Sequence, residues 1–558
     1  VIAAERSVSA RKQQEKEDFM KKRGTRLAAL ALTAVMTIGA LAGCGGKDAG
    51  GASAGNAAGA GNGTESQGSA GDADSQGGAG DAGDQAQDGE PYEVVMAYVT
   101  LGSDPQDLGL VEEELSKVTM EKIGCTVKFK PVPLSNLASQ YNLWASSGEK
   151  VDLLIMFQMD LGTYVNEGKI LELTDYMDLL PAPTAVDGER GLYVGGMYDN
   201  RVYAVPVVNP SLGEGKAFYV RKDIMDSIDY EEKDLYTYED LDAIFAQVKE
   251  TYPDLITIAA AGIKNNTFAY QFIPYDTLGV QGGWAGVLMD PVSGNTTIEN
   301  LYESEEYYEY LTWMRRWQEA GYLSADAATT NDQPGDWVKA GRCAGFMLGD
   351  DTPGNKDNQE ANTNYEMVQL NIRPTFLTTN TYDQLRWCVS STSQNPQKAA
   401  EFLNLMYDGS EVVNLLMNGV EGKHYVKNGD SMIVSYPEGI DGTNTPYNNV
   451  LGIYGDKRNM YMFEPNKDSF YSDSDAYTAN ALKHPSVALG YTFNSSEYQT
   501  EMAAISSVIS QYVTTLEYGM AADLDATYQE FIEALDAAGM NRLVEANQEQ
   551  FDAWLAAQ

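Results

Sequence analysis

The sequence predicts an α/β fold built on an open sheet of parallel crossover units, and three observations carry that reading. Strand-like and helix-like patterns alternate from residue 92 to residue 157, the order that parallel βαβ units require. Val151–Phe157 is a continuous apolar run, the mark of a strand buried on both faces. The chain has 558 residues, well beyond one ordinary domain of ~100–200 residues, so two lobes or domains are expected.

Tyr92–Val99 reads as a strand through Val94, Val95, Met96 and Val99. Leu108, Val111, Leu115, Val118 and Ile123 then recur at helical spacing, and Gly124 closes that helix. Cys125–Val132 alternates like a strand. Ser135–Ser147 carries Leu137, Tyr141 and Trp144 on a helix that ends at Gly148. Further on, Thr237–Thr251 places Leu241, Ile244, Phe245 and Val248 on one helical face. Glu305–Ala320 is a second such helix, and Gln397–Tyr407 a third, entered through Asn395-Pro396. From Ile505 onward the pattern is helical, with turns near Gly519 and Gly539.

The N-terminal part is of another kind. Lys21, Lys22, Arg23 and Arg26 precede an apolar run from Leu27 to Ala40, the layout of a secretory signal. Leu41-Ala42-Gly43-Cys44 resembles the lipobox of bacterial lipoproteins, which implies a diacylglycerol thioether on Cys44. A membrane-spanning helix needs ~20 apolar residues; this run is shorter and contains Thr33, Thr37 and Gly39. Residues 1–19 are expected to lie upstream of a start at Met20, with the signal at 20–43. Residues 44–90 are mostly Gly, Ala, Ser, Asp and Gln, too poor in apolar side chains to offset ordering entropy. They read as a tether spanning roughly 35–40 Å. Gly51–Gly55 matches a nucleophile-elbow string but lacks the strand and helix that give it meaning.

Composition narrows the partners. The net charge is −43, and residues 1–43 are net positive, so the remainder is more acidic still. Such a surface repels nucleic-acid phosphates and anionic headgroups, leaving the acyl chains as the expected hold on the membrane. Cys125, Cys343 and Cys388 look like small core residues; an odd number cannot all pair within one chain, and no essential disulfide is expected. His424 and His484 are the only histidines, no Cys/His cluster has zinc spacing, and 473–475 lacks the glycine and glutamate of an EF-hand loop. No metal and no cofactor are expected.

Several segments resemble the extracellular solute-binding proteins of ABC importers, sugar type. They are Ser-Gly-Glu-Lys-Val-Asp-Leu-Leu (147–154), Gly-Lys-Ile-Leu-Glu-Leu-Thr-Asp-Tyr (168–176), Asn-Arg-Val-Tyr-Ala-Val-Pro (200–206), Phe-Tyr-Val-Arg-Lys-Asp-Ile (218–224), Lys-Ala-Gly-Arg-Cys-Ala-Gly-Phe-Met (339–347) and the Asn-Pro helix entry at 393–404. Val151 stands where the family often has Pro. The block Asn414–Tyr425, the stretch Gln511–Gly519 and Ala537–Met540 are similar to a lipoprotein subgroup called LipO-like.

The resemblance implies a periplasmic-binding-protein-like type II fold: two lobes joined by crossover hinge strands, with a helical C-terminus. Lobe 1 is expected over 91–208 and 372–420, lobe 2 over 209–371 and 421–558. Hinges are expected near Val205–Pro210 and Ile372–Phe376, with a third crossing between Gly419 and Lys427. The implied function is capture of a small solute, a carbohydrate or oligosaccharide, by a monomeric, lipid-anchored receptor that hands it to permease subunits. A surface glycoside hydrolase or lyase, working through paired carboxylates, and a surface adhesin are the competing readings. Ligands of open α/β sheets bind at the C-terminal ends of strands, and sugars are held by aromatic plates, carboxylates and amides. Those two rules select Gln158, Asp160, Tyr203, Tyr219, Trp284, Asp350 and Trp387 as candidate ligand-binding residues, with no catalytic residue.

Overall fold

The computed structural model describes residues 90–259, 268–325, 327–330, 332–447 and 451–558. The expected signal, Cys44 and the tether up to residue 89 lie outside the described residues. Two sheets organise the rest. The first contains β1 (Tyr92–Thr100), β2 (Cys125–Pro133), β3 (Leu153–Phe157) and β4 (Val205–Pro206). The second contains β5 (Lys216–Arg221), β6 (Ile256–Ala259), β7 (Cys343–Asp350) and β8 (Met367–Arg373), after which β9 (Leu385–Val389) returns to the first.

The first sheet runs β2-β1-β3-β9-β4. β1 is parallel to β2 and β3, and β9 is antiparallel to β3 and β4. The alternation over 92–157 therefore gives the parallel units it predicts. Local signals set the helix ends. The helix Leu108–Ile123 stops where Gly124 adopts the left-handed conformation, which costs a glycine nothing. Thr237 and Asp240 form a reciprocal capping box on Tyr238–Thr251. Asn395 caps Pro396–Leu405 by accepting from Lys398 N at 3.1 Å.

The second sheet runs β8-β5-β7-β6, with β5 antiparallel to both of its neighbours. A three-stranded ribbon (Tyr275–Asp276, Val287–Met289, Ile298–Glu299) flanks it. Each sheet has its own core. Met96, Ile155, Trp387 and Phe402 pack under the first; Phe218, Phe245, Leu311 and Trp317 pack under the second. The C-terminal helices Gln499–Glu517, Leu524–Ala538 and Met540–Ala556 supply Ile505, Ile509, Phe531, Leu543 and Phe551 to the second core. No helix among the described residues is long and apolar enough to cross a membrane.

Two expectations need correction. Tyr447, Ile453, Tyr454, Met460 and Met462, expected in lobe 2, belong to the core of the first sheet. Residues 419–427 do not cross either: buried His424 contacts Asp107 at 3.1 Å, after β1, and its Nδ1 accepts from Val420 N. The third crossing comes later, through the helix Phe470–Ala481 and the segment that bridges Leu377 to Pro485. The apolar residues of 447–462 fit either core by composition, so periodicity did not assign them. Among the described residues Cys125, Cys343 and Cys388 are buried and free. Burial pushes the Cys125 thiol up to about 11 and those of Cys343 and Cys388 up to about 12, which makes them inert packing groups.

Candidate functional site

Chain connectivity locates the site. One crossover leaves the C-terminal end of β4 and enters β5 at Lys216; another leaves β8 at Arg373 and enters β9 at Leu385. Both join the same edge of the first sheet to the same edge of the second. The first edge carries the end of β3, where Phe157 pairs with Leu385. The second carries Lys216, paired with both Asp350 and Arg373 in the sheet register.

Polar contacts tie the crossovers together. The Glu214 carboxylate accepts from the Tyr270 hydroxyl, from Thr378 Oγ1 at 3.1 Å and from Thr381 Oγ1 at 3.3 Å. The guanidinium of Arg373, 1% exposed, donates to the carbonyls of Tyr270 (2.7 Å) and Glu214 (2.8 Å) and lies 4.2 Å over the Tyr270 ring. Burial lowers its pKa, opposed by Glu214. Tyr477, on the third crossing, donates to Asp351 at 2.5 Å and accepts from Gly215 N at 3.2 Å; Thr375 donates to the other Asp351 oxygen at 3.0 Å. Burial raises the Asp351 carboxyl. Asp276 is 1% exposed, and burial pushes it up to about 6. Its Oδ1 accepts from Leu278 N at 2.9 Å, while Oδ2 has no partner among the described residues. A carboxylate so placed is costly to ionise.

The seven expected residues divide three ways. Gln158 directly follows β3 and Asp350 ends β7, on the two rims that the crossovers join. Gln158 is exposed with φ 51°, donates from its backbone to Gln384 O at 2.8 Å, and donates from its amide to Gln384 Oε1 at 3.0 Å. Asp350 pairs with Lys216 and keeps 46% of its side chain exposed. Asp160 also follows β3, but its carboxylate caps the short helix Leu161–Asn166, accepting from Thr163 N at 2.6 Å. Tyr203 is half-buried just before β4. Trp284 lies on the ribbon side of the second lobe, half-buried, with its indole Nε1 unpartnered among the described residues.

Tyr219 and Trp387 present no open face. Tyr219 is 0% exposed and donates its hydroxyl to Asp350 O at 2.7 Å. Trp387 is 0% exposed, stacks on Tyr454 at 5.5 Å and donates from its indole to Ile453 O at 2.6 Å. Strand alternation turned both rings into the cores, where large aromatics bury most area. Sequence reading missed Glu214, Arg373, Tyr270, Thr378, Thr381 and Gln384. Only Arg373, before Pro374 at a strand end, had a local signal; the others matter because separate crossovers meet.

Among the described residues, no group of three or more His, Cys, Asp or Glu side chains is placed to hold a metal ion. A cavity of about 500 Å³ lies at the roots of the first and third crossings, lined by Val186, Glu189, Pro210, Tyr407, Arg458 and Tyr471 among others. Within its charged lining Arg458 bonds Asp456 and Glu189, and Asp475 bonds Arg190.

The chain is 25% identical over 488 residues to a carbohydrate ABC transporter substrate-binding protein of Streptococcus pneumoniae serotype 4, covering 84% of this chain and 92% of that one. The N-glycan transport solute binding protein NgtS of Streptococcus pneumoniae superposes with a TM-score of 0.70 at 23% identity, over 83% of this chain and 99% of NgtS. The score is 0.61 for NgtS in complex with Man1GlcNAc and 0.57 in complex with Man5GlcNAc. An HMO binding ABC-transporter associated solute binding protein of Bifidobacterium longum infantis gives 0.63 at 16% identity, over 84% of this chain and 99% of that one. These likenesses show the fold: two α/β lobes of the periplasmic-binding-protein type with a helical C-terminus. Residues 487–556 match a domain of unknown function (DUF3502). Residues 115–418, more than half of the chain, match the family described as bacterial extracellular solute-binding protein, and the chain belongs to that family.

Proposed function

We propose that this chain captures an oligosaccharide between its two lobes and delivers it unaltered to the permease of an ABC importer, held at the outer face of the membrane by a lipid on Cys44. The observation that carries the reading is the pair of strand-end rims that the crossovers join. Gln158 and Gln384 on one side and Lys216 with Asp350 on the other offer amides, an ammonium and a carboxylate, the groups that hydroxyl-rich ligands need. Hinged lobes then close around the guest. The carbohydrate class draws support from the pneumococcal relatives, and the lower TM-scores against glycan-bound NgtS fit lobes that rearrange on capture.

Titrating the full chain with Man1GlcNAc, Man5GlcNAc, an amino acid and a tripeptide, followed by analysis of the recovered ligand, tests the reading. A glycan should raise the melting temperature by the binding linkage and come back intact. Hydrolysis products would favour the hydrolase reading. A response to the peptide alone would change the substrate class. For the anchor, Cys44→Ala should move the protein from the membrane fraction to the medium; no change would remove the lipid from the account.

A further inference from the structure

The three crossings share a small core of their own. Leu212 of the first, Leu377 and Tyr382 of the second and Ala481 of the third pack as one cluster, separate from the cores of the two sheets. The approach is close: a Cβ on Gly213 would stand 2.7 Å from Thr375 Cγ2 and 2.9 Å from Ala481 Cβ. Ser211 Oγ donates to Ser474 Oγ at 2.9 Å, and Leu212 N donates to Thr478 Oγ1 at 3.0 Å. Buried contacts fasten this bundle to the second lobe. Glu214 accepts from Tyr270 and from two threonines of the second crossing, and Arg373 donates to the Glu214 carbonyl. Thr379, 3% exposed, accepts from Gly490 N at 2.9 Å and donates to the carbonyl of Ala488, a residue of the second core.

The joint with the first lobe is built differently. All three crossings reach Arg190, buried at the end of the helix Pro181–Arg190. Its guanidinium donates to the carbonyls of Asn209 (3.2 Å) and Pro210 (3.1 Å) on the first crossing and to Asp475 Oδ1 on the third at 2.9 Å. Tyr382, on the second, donates its hydroxyl to the Arg190 carbonyl at 2.7 Å. Asp475 keeps 68% of its side chain exposed, and an ion pair so open to water is cheap to break. The cavity of about 500 Å³ lies at this joint, lined by Val186 and Glu189 of that helix and by Pro210 and Asp475 of the crossings. A close-packed interface resists movement, and a gap leaves room for it. We propose that the crossings travel with the second lobe and that the lobes turn at Arg190, which holds the crossing bundle against the first lobe. Arg190 is thus a positioning residue: it sets how far apart the two rims stand. The turning point falls at Asn209–Pro210 on the first crossing, and at Tyr382, not near Ile372–Phe376, on the second. This inference rests on the hinged capture proposed above.

Single-molecule energy transfer between dyes on Leu143→Cys and Val292→Cys, in the full chain with Cys44→Ala, tests the pivot. Leu143 is exposed in the first lobe and Val292 in the second, while Cys125, Cys343 and Cys388 are buried. Without ligand, Arg190→Gln should broaden the distance distribution or add a second population. Asp475→Asn, which loosens only the third crossing, should broaden it less, and it carries the test should Arg190→Gln fail to fold. Arg458→Gln is the control. Arg458 lines the same cavity, but its partners Asp456 and Glu189 both belong to the first lobe, so the distribution should stay as in the parent chain. An unchanged distribution in the folded variants of Arg190 and Asp475 overturns the pivot, even where the melting temperature falls. Equal broadening from Arg458→Gln also overturns it, since the first lobe would then be loosened as a whole. Man5GlcNAc addresses the underlying reading separately. A parent chain whose distance does not respond to bound glycan overturns capture by closure, while the ligand-free distributions still decide whether Arg190 sets the spacing of the lobes.

Discussion

The two sheets reach similar burial by different routes. Three strands of the first, β1 to β3, follow one another with a single helix in each gap, so most of their contacts are near in sequence. The second is largely antiparallel, and its core is completed by helices from the far end of the chain. The first lobe starts from local crossover units and is then completed by β9 and by apolar residues from Phe402 to Met462, whereas the second waits for the last three helices of the chain. Each lobe nevertheless ends at a crossover edge of the same kind, and there the Glu214–Arg373 cluster joins them.

The largest expected effect tests whether the lobes are separate cooperative units. Trp387→Ala opens a cavity in the first core and Trp317→Ala one in the second; each should cost about 3–5 kcal/mol. Calorimetry should show the two substitutions lowering different transitions. If both shift one common transition, the lobes unfold together and the contrast is structural only.

Arg373→Ala comes next. It leaves the Tyr270 and Glu214 carbonyls without their charged donor, at a cost of about 3 kcal/mol. Because Arg373 ends the second sheet, the loss should appear in the transition that Trp317→Ala lowers, readable by urea titration. A shift confined to the other transition would place the cluster with the first lobe.

Asp276 sharpens the comparison through pH. Its folded pKa, near 6, lies above its unfolded value of 3.8. Its contribution to stability is therefore fully present below about pH 4 and is lost as pH rises through 6. Relative to wild type, Asp276→Asn should remove about 2–3 kcal/mol of that decline between pH 4 and pH 7. Identical pH slopes for the two proteins would show that the carboxylate is not desolvated.

Asp107 in the first lobe has the opposite sign. Hydrogen bonds from Lys423 and then His424 lower its pKa, so its contribution is present above the unfolded value and fades as pH falls through the folded one. The group is partly exposed and screened, so Asp107→Asn should cost less than about 1 kcal/mol at pH 7 and nothing in strong acid. A cost unchanged in acid would mean that helix packing, not charge, is what the substitution disturbs.

What the sequence by itself determined is the part whose causes are local. Apolar periodicity, the glycine stops at Gly124 and Gly148 and the Asn395-Pro396 helix entry defined strands and helices before any fold was known, because each depends on neighbours a few residues away. Gln158 and Asp350 were legible as strand-end positions for a related reason: Gln158 follows β3 and Asp350 ends β7. Tertiary structure alone decided that Tyr447, Ile453, Tyr454, Met460 and Met462 pack under the first sheet and that the third crossing is Phe470–Ala481. It also turned Tyr219 and Trp387 inward, and it assembled Glu214, Tyr270, Arg373 and Thr378 into one cluster. Those outcomes follow from which crossovers meet in space, and a contact between residues 56 or more positions apart leaves no pattern in the residues beside either of them.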